Sequence, residues 1–252
     1  MNEGQVFSSP EIRESYESLT HKSGLRVLIS KKHTAAAYAM LGVNYGAASI
    51  PLTMPDGLPA KDKTPLGVAH FLEHKMFEEA DGTSCDLRFS ELGAEVNAYT
   101  SYDKTVYYVS CVRGFEKALK ELLDLVKAFY ADSGSVAREK SIIAEEIRMN
   151  DDSPFEKCYS ELIRAMYEKN GIREEICGTE ASVKKITPAL LKTHFDTFYR
   201  PENMVLAVAG NVTADEVMAV VDACFGNQLP TGEMIPLYQP SEPPLPHKTY
   251  TE

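Results

Sequence analysis

Two histidines four positions apart, with a glutamate beside the second, constrain the fold of this chain most strongly. The segment His70-Phe-Leu-Glu73-His74 lies in an apolar pattern that predicts a helix from about 67 to 79. Residues four apart share one face of a helix, so both imidazoles can reach one ion. Glu73 projects to the same rim, where a carboxylate can act as a base on a metal-bound water. The order H-x-x-E-H is the inverted form of the H-E-x-x-H zinc signature.

A zinc centre of this kind needs a third protein ligand and keeps a fourth position for water. The helix predicted at about 136–150 offers Glu139, Glu145 and Glu146. Glu139 and Glu146 are seven positions apart and share a face, whereas Glu145 and Asp151 lie on other faces. The residues alone leave a charged, solvent-exposed helix face as the alternative interpretation.

Composition excludes several classes of protein. The chain has 252 residues, with 37 acidic and 26 basic side chains and a net charge of −11, which disfavours nucleic acid as a partner. It contains no apolar run of about 18 residues, so no membrane span is predicted. Its five cysteines are scattered without a C-x-x-C pair, and the N-terminus shows no secretory signal. We therefore expect a reduced, cytoplasmic protein.

Local patterns divide the chain into three parts. Residues 1–14 are polar and predict a loose N-terminal arm, and residues 15–229 predict one folded unit. Residues 230–252 hold six of the 14 prolines and predict a linker or tail. Predicted strands lie at about 19–30 (with a turn at 23–24), 35–48, 94–100, 104–112 and 204–209. Further helices are predicted at about 84–93, 115–131, 136–150, 155–169, 182–185, 188–198 and 214–225.

Four stretches in a fixed order carry a resemblance to a known family. They are His70-Phe-Leu-Glu-His-Lys-Met-Phe-Glu, Leu92-Gly-Ala-Glu-Val-Asn-Ala-Tyr-Thr-Ser followed by Thr105-Val-Tyr-Tyr, Glu139-Lys-Ser-Ile-Ile-Ala-Glu-Glu-Ile, and Phe198-Tyr-Arg-Pro-Glu-Asn-Met. Together they resemble the inverted-motif zinc peptidases of the pitrilysin, insulysin and mitochondrial processing peptidase family. The bacterial, processing-peptidase-like branch looks most similar.

The resemblance implies a role for each matching position of the metal site. It implies one zinc ion, bound by His70, His74 and Glu146. Glu73 is then the general base. Glu139 takes the place of the residue that supports a metal ligand without binding the metal itself.

The resemblance also implies a fold, a substrate strand and a partner. The fold is an α+β unit, a mainly antiparallel sheet packed by helices. Asn97, Ala98 and Tyr99 lie on the strand that receives an extended peptide, which is the edge-strand mode of recognition. Active members pair two such units, so we expect a second homologous unit, on the same natural chain or as a separate subunit, or a homodimer.

These observations predict a zinc-dependent metalloendopeptidase, or its catalytic half, that hydrolyses extended peptides or unfolded protein segments. The alternative is a non-catalytic partner or scaffold subunit of a two-unit, peptidase-like complex. A third class is S-ribosylhomocysteine lyase, which has a related fold and an H-x-x-E-H motif but a cysteine as third ligand. Cys111 and Cys158 do not match the motif around that cysteine, which disfavours the lyase.

Overall fold

Alternating buried and partly buried side chains run along the central strands of the protein. The computed structural model describes residues 4–51, 64–232 and 237–238. In it, the strand Met204–Gly210 buries every second residue. A period of two places one row of side chains on a single face of a sheet. That apolar row forms one layer of the hydrophobic core.

The described ranges contain nine strands and eight α-helices. The strands are β1 (Gln5–Ser9), β2 (Glu14–Thr20), β3 (Arg26–Lys31), β4 (Ala37–Val43), β5 (Ile50–Pro51), β6 (Ala94–Thr100), β7 (Thr105–Cys111), β8 (Met204–Gly210) and β9 (Leu237–Tyr238). The helices are α1 (Val68–Met76), α2 (Asp86–Glu91), α3 (Phe115–Leu125), α4 (Ser133–Asp151), α5 (Pro154–Met166), α6 (Glu180–Val183), α7 (Pro188–Phe198) and α8 (Ala214–Phe225). None of these helices combines the length and apolarity that crossing a membrane requires.

Seven strands form one mixed sheet in the order β1-β2-β3-β8-β4-β7-β6. Only β3 and β8 pair in parallel, and every other neighbouring pair in this sheet is antiparallel. Strands β5 and β9 form a separate two-stranded pair. The α+β class with a mainly antiparallel sheet is therefore confirmed. Within the described residues, β6 pairs with β7 alone and lies at one edge of the sheet.

Buried aliphatic and aromatic side chains hold α1 in the core. Phe71 and Leu72 of this helix are completely buried, and so are Leu119 and Leu122 of α3. Burial of each such side chain contributes about 1.5–3 kcal/mol to folding. The helix that carries both histidines is thus anchored by its apolar residues.

The segment predicted as a loose arm contains an edge strand. Gln5–Ser9 pairs antiparallel with β2, and Phe7 stacks on Tyr16 with ring centroids 5.0 Å apart. The strand is mostly exposed, so it has no alternation of buried apolar residues for a sequence pattern to detect. Cross-strand pairing holds it instead. Most of the predicted proline-rich segment 230–252 lies outside the described residues.

Acid is expected to weaken folding through His194 on α7. This ring is buried, its Nδ1 lies 2.8 Å from the Tyr45 hydroxyl, and burial lowers the pKa of His194 from 6.5 to about 4. Between these values the unfolded chain binds more protons than the folded chain, so stability falls as the pH falls.

We expect wild type to lose about 3 kcal/mol of its free energy of unfolding between pH 7 and pH 4, relative to a His194→Gln variant. Urea denaturation of chelator-treated protein measures the difference. Equal pH slopes for the two proteins would contradict this assignment.

Candidate metal centre

Helix α1 brings the two histidines of the motif together. The ring centroids of His70 and His74 are 4.6 Å apart, as their spacing of one helical turn predicts. His70 and Glu73 are both buried, at 7% and 9% exposure. Buried polar groups of this kind need partners: helix α4 supplies one to His70, and strand β6 supplies one to Glu73.

Glu146 of α4 reaches both imidazoles. Its Oε1 lies 3.4 Å from His70 Nε2, and its Oε2 lies 3.5 Å from His74 Nε2. Nitrogen and oxygen ligands about 2.1 Å from one tetrahedral zinc lie about 3.4 Å from each other. Each of the two separations therefore matches the distance between two ligands of one metal ion, and the donor set of two imidazoles and a carboxylate is one that zinc accepts.

Glu139 lies behind His74. Its Oε1 is 2.8 Å from His74 Nδ1, so this ring nitrogen donates to the carboxylate. The donation leaves the lone pair on Nε2, which faces Glu146. A carboxylate behind a histidine ligand fixes the ring orientation and its tautomer in this way.

For each of the two residues His74 and Glu146, burial and the neighbouring charged groups shift the pKa in opposite directions. Burial lowers the pKa of His74, but the hydrogen bond from Nδ1 to Glu139 and the charges of Glu139, Glu146 and Glu73 outweigh burial and raise it. The hydrogen bond with His70 lowers the pKa of Glu146, against burial, which raises it. Glu146 is therefore ionised at neutral pH and available to a cation.

Removal of the Glu139 carboxylate should weaken metal binding without abolishing it. We expect Glu139→Ala to raise the Kd for zinc about 10- to 100-fold, because His74 loses its orienting partner. Competition with a chromophoric zinc chelator measures the change. Glu145→Ala on the same helix serves as control and should leave the Kd unchanged. An unchanged Kd in Glu139→Ala would remove Glu139 from the supporting role.

The other acidic candidates point elsewhere. The side chain of Glu145 is 74% exposed and pairs with Arg148. Asp151, at the end of α4, is exposed. Cys111 is buried on β7 and Cys158 is exposed on α5. Of the glutamates that the residues alone left open, Glu146 is the one whose carboxylate oxygens face the Nε2 atoms of both histidines.

The predicted base and the predicted substrate strand are in direct contact. Thr100, the last residue of β6, donates a hydrogen bond of 2.6 Å from its hydroxyl to Glu73 Oε2. Asn97 and Tyr99 are exposed on this edge strand, and the Ala98 N–H donates to Asn97 Oδ1 at 2.8 Å. The strand therefore presents backbone at the sheet edge beside the carboxylate of Glu73.

Sequence reasoning missed one residue at this centre. Cys177, which no sequence pattern linked to a metal, places its Sγ 3.8 Å from His70 Nε2 and 3.7 Å from Glu146 Oε1. Burial, and then the charge of Glu146, raises the pKa of this thiol to about 12. Cys177 follows His70 by 107 positions, so no local spacing could have linked them.

Known proteins are similar to this chain in sequence. Residues 27–180 match the family described as insulinase, peptidase family M16, and residues 185–252 match the M16 inactive domain. The uncharacterized zinc protease YmfH of Bacillus subtilis is 37% identical over 215 residues, which cover 84% of this chain and 50% of that protein. The mitochondrial-processing peptidase subunit beta of Saccharomyces cerevisiae is 28% identical over 204 residues, which cover 79% of this chain and 44% of that one.

A solved structure agrees over most of the chain. The crystal structure of an M16-like peptidase from Alicyclobacillus acidocaldarius has a TM-score of 0.80 and 36% identity, and the match covers 95% of this chain and 53% of that chain. This chain belongs to the insulinase family, peptidase family M16. The predicted family is thus confirmed. The chain spans about half the length of the curated relatives it matches.

Proposed function

We propose that this chain is the catalytic unit of a zinc-dependent metalloendopeptidase acting on extended peptides. The observation that carries the proposal is the position of Glu146, whose two carboxylate oxygens face the Nε2 atoms of His70 and His74. Relatives named zinc proteases support zinc as the metal. The intact set of ligands and base disfavours the alternative of a non-catalytic scaffold subunit.

Different residues of the site have different roles in peptide hydrolysis. His70, His74 and Glu146 would hold the zinc ion, which would lower the pKa of a water to about 7 and polarise the scissile carbonyl. Glu73 takes the proton of the attacking water and passes it to the leaving amine. Thr100 holds the Glu73 carboxylate in place through its hydroxyl.

The Thr100 hydroxyl is expected to affect turnover more than binding. Thr100→Val keeps the branched shape but removes a hydrogen bond to a charged group, and we expect kcat to fall about tenfold. KM and bound zinc should stay near their wild-type values, and Thr100→Ser should restore kcat. A Thr100→Val protein with wild-type kcat would show that Glu73 needs no such positioning.

An extended substrate fits the free edge of β6. Backbone groups of an edge strand can pair with an added strand, which gives affinity without much sequence preference. The Ala98 N–H, now bonded to Asn97 Oδ1, is one group that an incoming strand can take over. This mode favours unfolded segments over folded proteins.

A second unit is part of the proposal. Tyr38 and Met40 are 54% and 41% exposed and line an apolar cavity of about 520 Å³ on the sheet. An exposed apolar surface of this kind is typical of an interaction site. Since the relatives are about twice as long, a second homologous unit, on the same chain or separate, is the proposed partner.

A cytoplasmic location also stays a prediction.

A peptide-cleavage assay tests the proposed function. The chain is loaded with zinc and incubated with a pool of unstructured peptides, and mass spectrometry identifies the products. We expect products that disappear with a chelator and with a Glu73→Gln control. A zinc-loaded chain that binds the peptides without cleaving them would contradict activity of this unit by itself and favour the scaffold alternative.

A further inference from the structure

The sulphur of Cys177 lies at a distance that suits a metal ligand. His70 Nε2, Glu146 Oε1 and Cys177 Sγ all lie within 4.8 Å of one another. Sulphur and nitrogen ligands of one tetrahedral zinc lie about 3.6 Å apart, given metal–ligand distances of about 2.3 and 2.1 Å. The observed separations of Sγ from His70 Nε2 and from Glu146 Oε1 are 3.8 and 3.7 Å. His74 faces the other carboxylate oxygen of Glu146.

Backbone packing holds Cys177 against the start of α1. A Cβ atom on Gly67 would lie 2.4 Å from the Cys177 carbonyl oxygen, and one on Gly178 would lie 2.6 Å from the Leu66 carbonyl oxygen. Both glycines have positive φ angles of +88° and +75°, which L-residues rarely adopt. The two segments therefore touch through their main chains, and the position of Cys177 relative to His70 is set by the fold.

A second side chain supports the sulphur. Asn150 Nδ2 of α4 donates toward Cys177 Sγ at 3.7 Å. An amide donor directed at sulphur stabilises the negative charge that a thiolate carries. Two elements of the metal centre, α1 and α4, thus both contact this cysteine.

We propose that Cys177 is a fourth protein ligand of this metal centre and competes with water for the open coordination position. This inference rests on the metal site of the proposed function. When the thiol binds, its proton passes to solvent, the sulphur–metal bond forms and the water leaves the metal. A site with four protein ligands is closed, whereas a catalytic zinc keeps one position open. The metal-loaded protein with Cys177 bound therefore has no open position for water and is a resting form.

Cobalt spectroscopy tests the proposal without an activity readout. Co²⁺ bound by imidazole and carboxylate gives weak visible bands, and a thiolate ligand adds an intense near-ultraviolet charge-transfer band. We expect the Co²⁺-loaded wild-type chain to show both. Cys177→Ala should lose the ultraviolet band, keep the visible bands and bind Co²⁺ about tenfold more weakly, since thiolate is a favoured ligand. Cys158→Ala, at an exposed cysteine outside this cluster, is the matched control.

The possible failures are distinguishable. Visible bands without the ultraviolet band in wild type would overturn the role of Cys177 and leave the metal site standing. Absence of all bands at saturating Co²⁺ would overturn both. Alkylation of wild type gives a measurement that needs no variant: bound zinc should slow labelling of Cys177 at least tenfold but not that of Cys158. Equal labelling rates of Cys177 with and without zinc would overturn the proposal.

Discussion

A Glu73→Gln chain is expected to bind zinc normally and to lose peptide hydrolysis. Glutamine has nearly the same shape as glutamate and can still accept the hydrogen bond from Thr100, but it cannot take a proton from water. General-base catalysis contributes about 10²- to 10⁴-fold, so kcat should fall about 10³-fold. Peptide turnover and zinc content are measured on the same preparation.

The control for this prediction is Glu145→Gln, which changes an exposed glutamate outside the centre. It should retain wild-type turnover. If Glu73→Gln retained kcat within tenfold of wild type while the control behaved normally, Glu73 would not be the base, and another group would have to accept the proton.

The second large effect is expected from Glu146. Glu146→Gln removes the charged ligand that faces both histidines, so the Kd for zinc should rise by more than about 100-fold, the upper range for residues that only support a ligand. Hydrolysis should be lost at limiting zinc. Isothermal titration of the chelator-treated chain with zinc measures the binding.

The adjacent residue offers a stringent comparison for this variant. Glu145 and Glu146 are neighbours on α4 with the same chemistry, but Glu145 pairs with Arg148 at the surface. Glu145→Gln should therefore keep the wild-type Kd. Equal losses in the two variants would indicate a general effect on α4 instead of a ligand role, and a normal Kd in Glu146→Gln would remove it from the metal site.

Elements with clear end signals were predictable at their true bounds. Strand β6 (Ala94–Thr100), helix α7 (Pro188–Phe198) and helix α8 (Ala214–Phe225) all lie where the sequence predicts them. Side chains of Thr187 and Thr213 accept hydrogen bonds from backbone N–H groups in the first turns of these two helices. Such capping is encoded locally, and a single sequence contains it.

The starting point of α4 was predicted less well. The apolar pattern places it at about Val136, whereas the helix begins at Ser133. Asp132 and Ser135 form a capping box there, in which each side chain accepts a hydrogen bond from the other's backbone N–H. The box extends the helix by one polar turn that a pattern of apolar residues does not detect.

Long-range arrangement was not predictable from local patterns. Strand β8 lies between β3 and β4 and pairs in parallel with β3. For the site, helical spacing places His70 and His74 on one face of α1. The helix predicted at about 136–150 then offers only a few glutamates as candidates for the third ligand. The contacts of Thr100 and Cys177 depend instead on how β6 and the segment before α6 pack against α1. No spacing rule within one element contains that information.

The central claim is that one zinc ion binds between α1 and α4. Anomalous diffraction at the zinc edge from crystals of the zinc-loaded chain tests it most directly. We predict a single strong peak about 2.0–2.2 Å from His70 Nε2, His74 Nε2 and a carboxylate oxygen of Glu146. A peak elsewhere, or none between these three residues at saturating zinc, would contradict the claim.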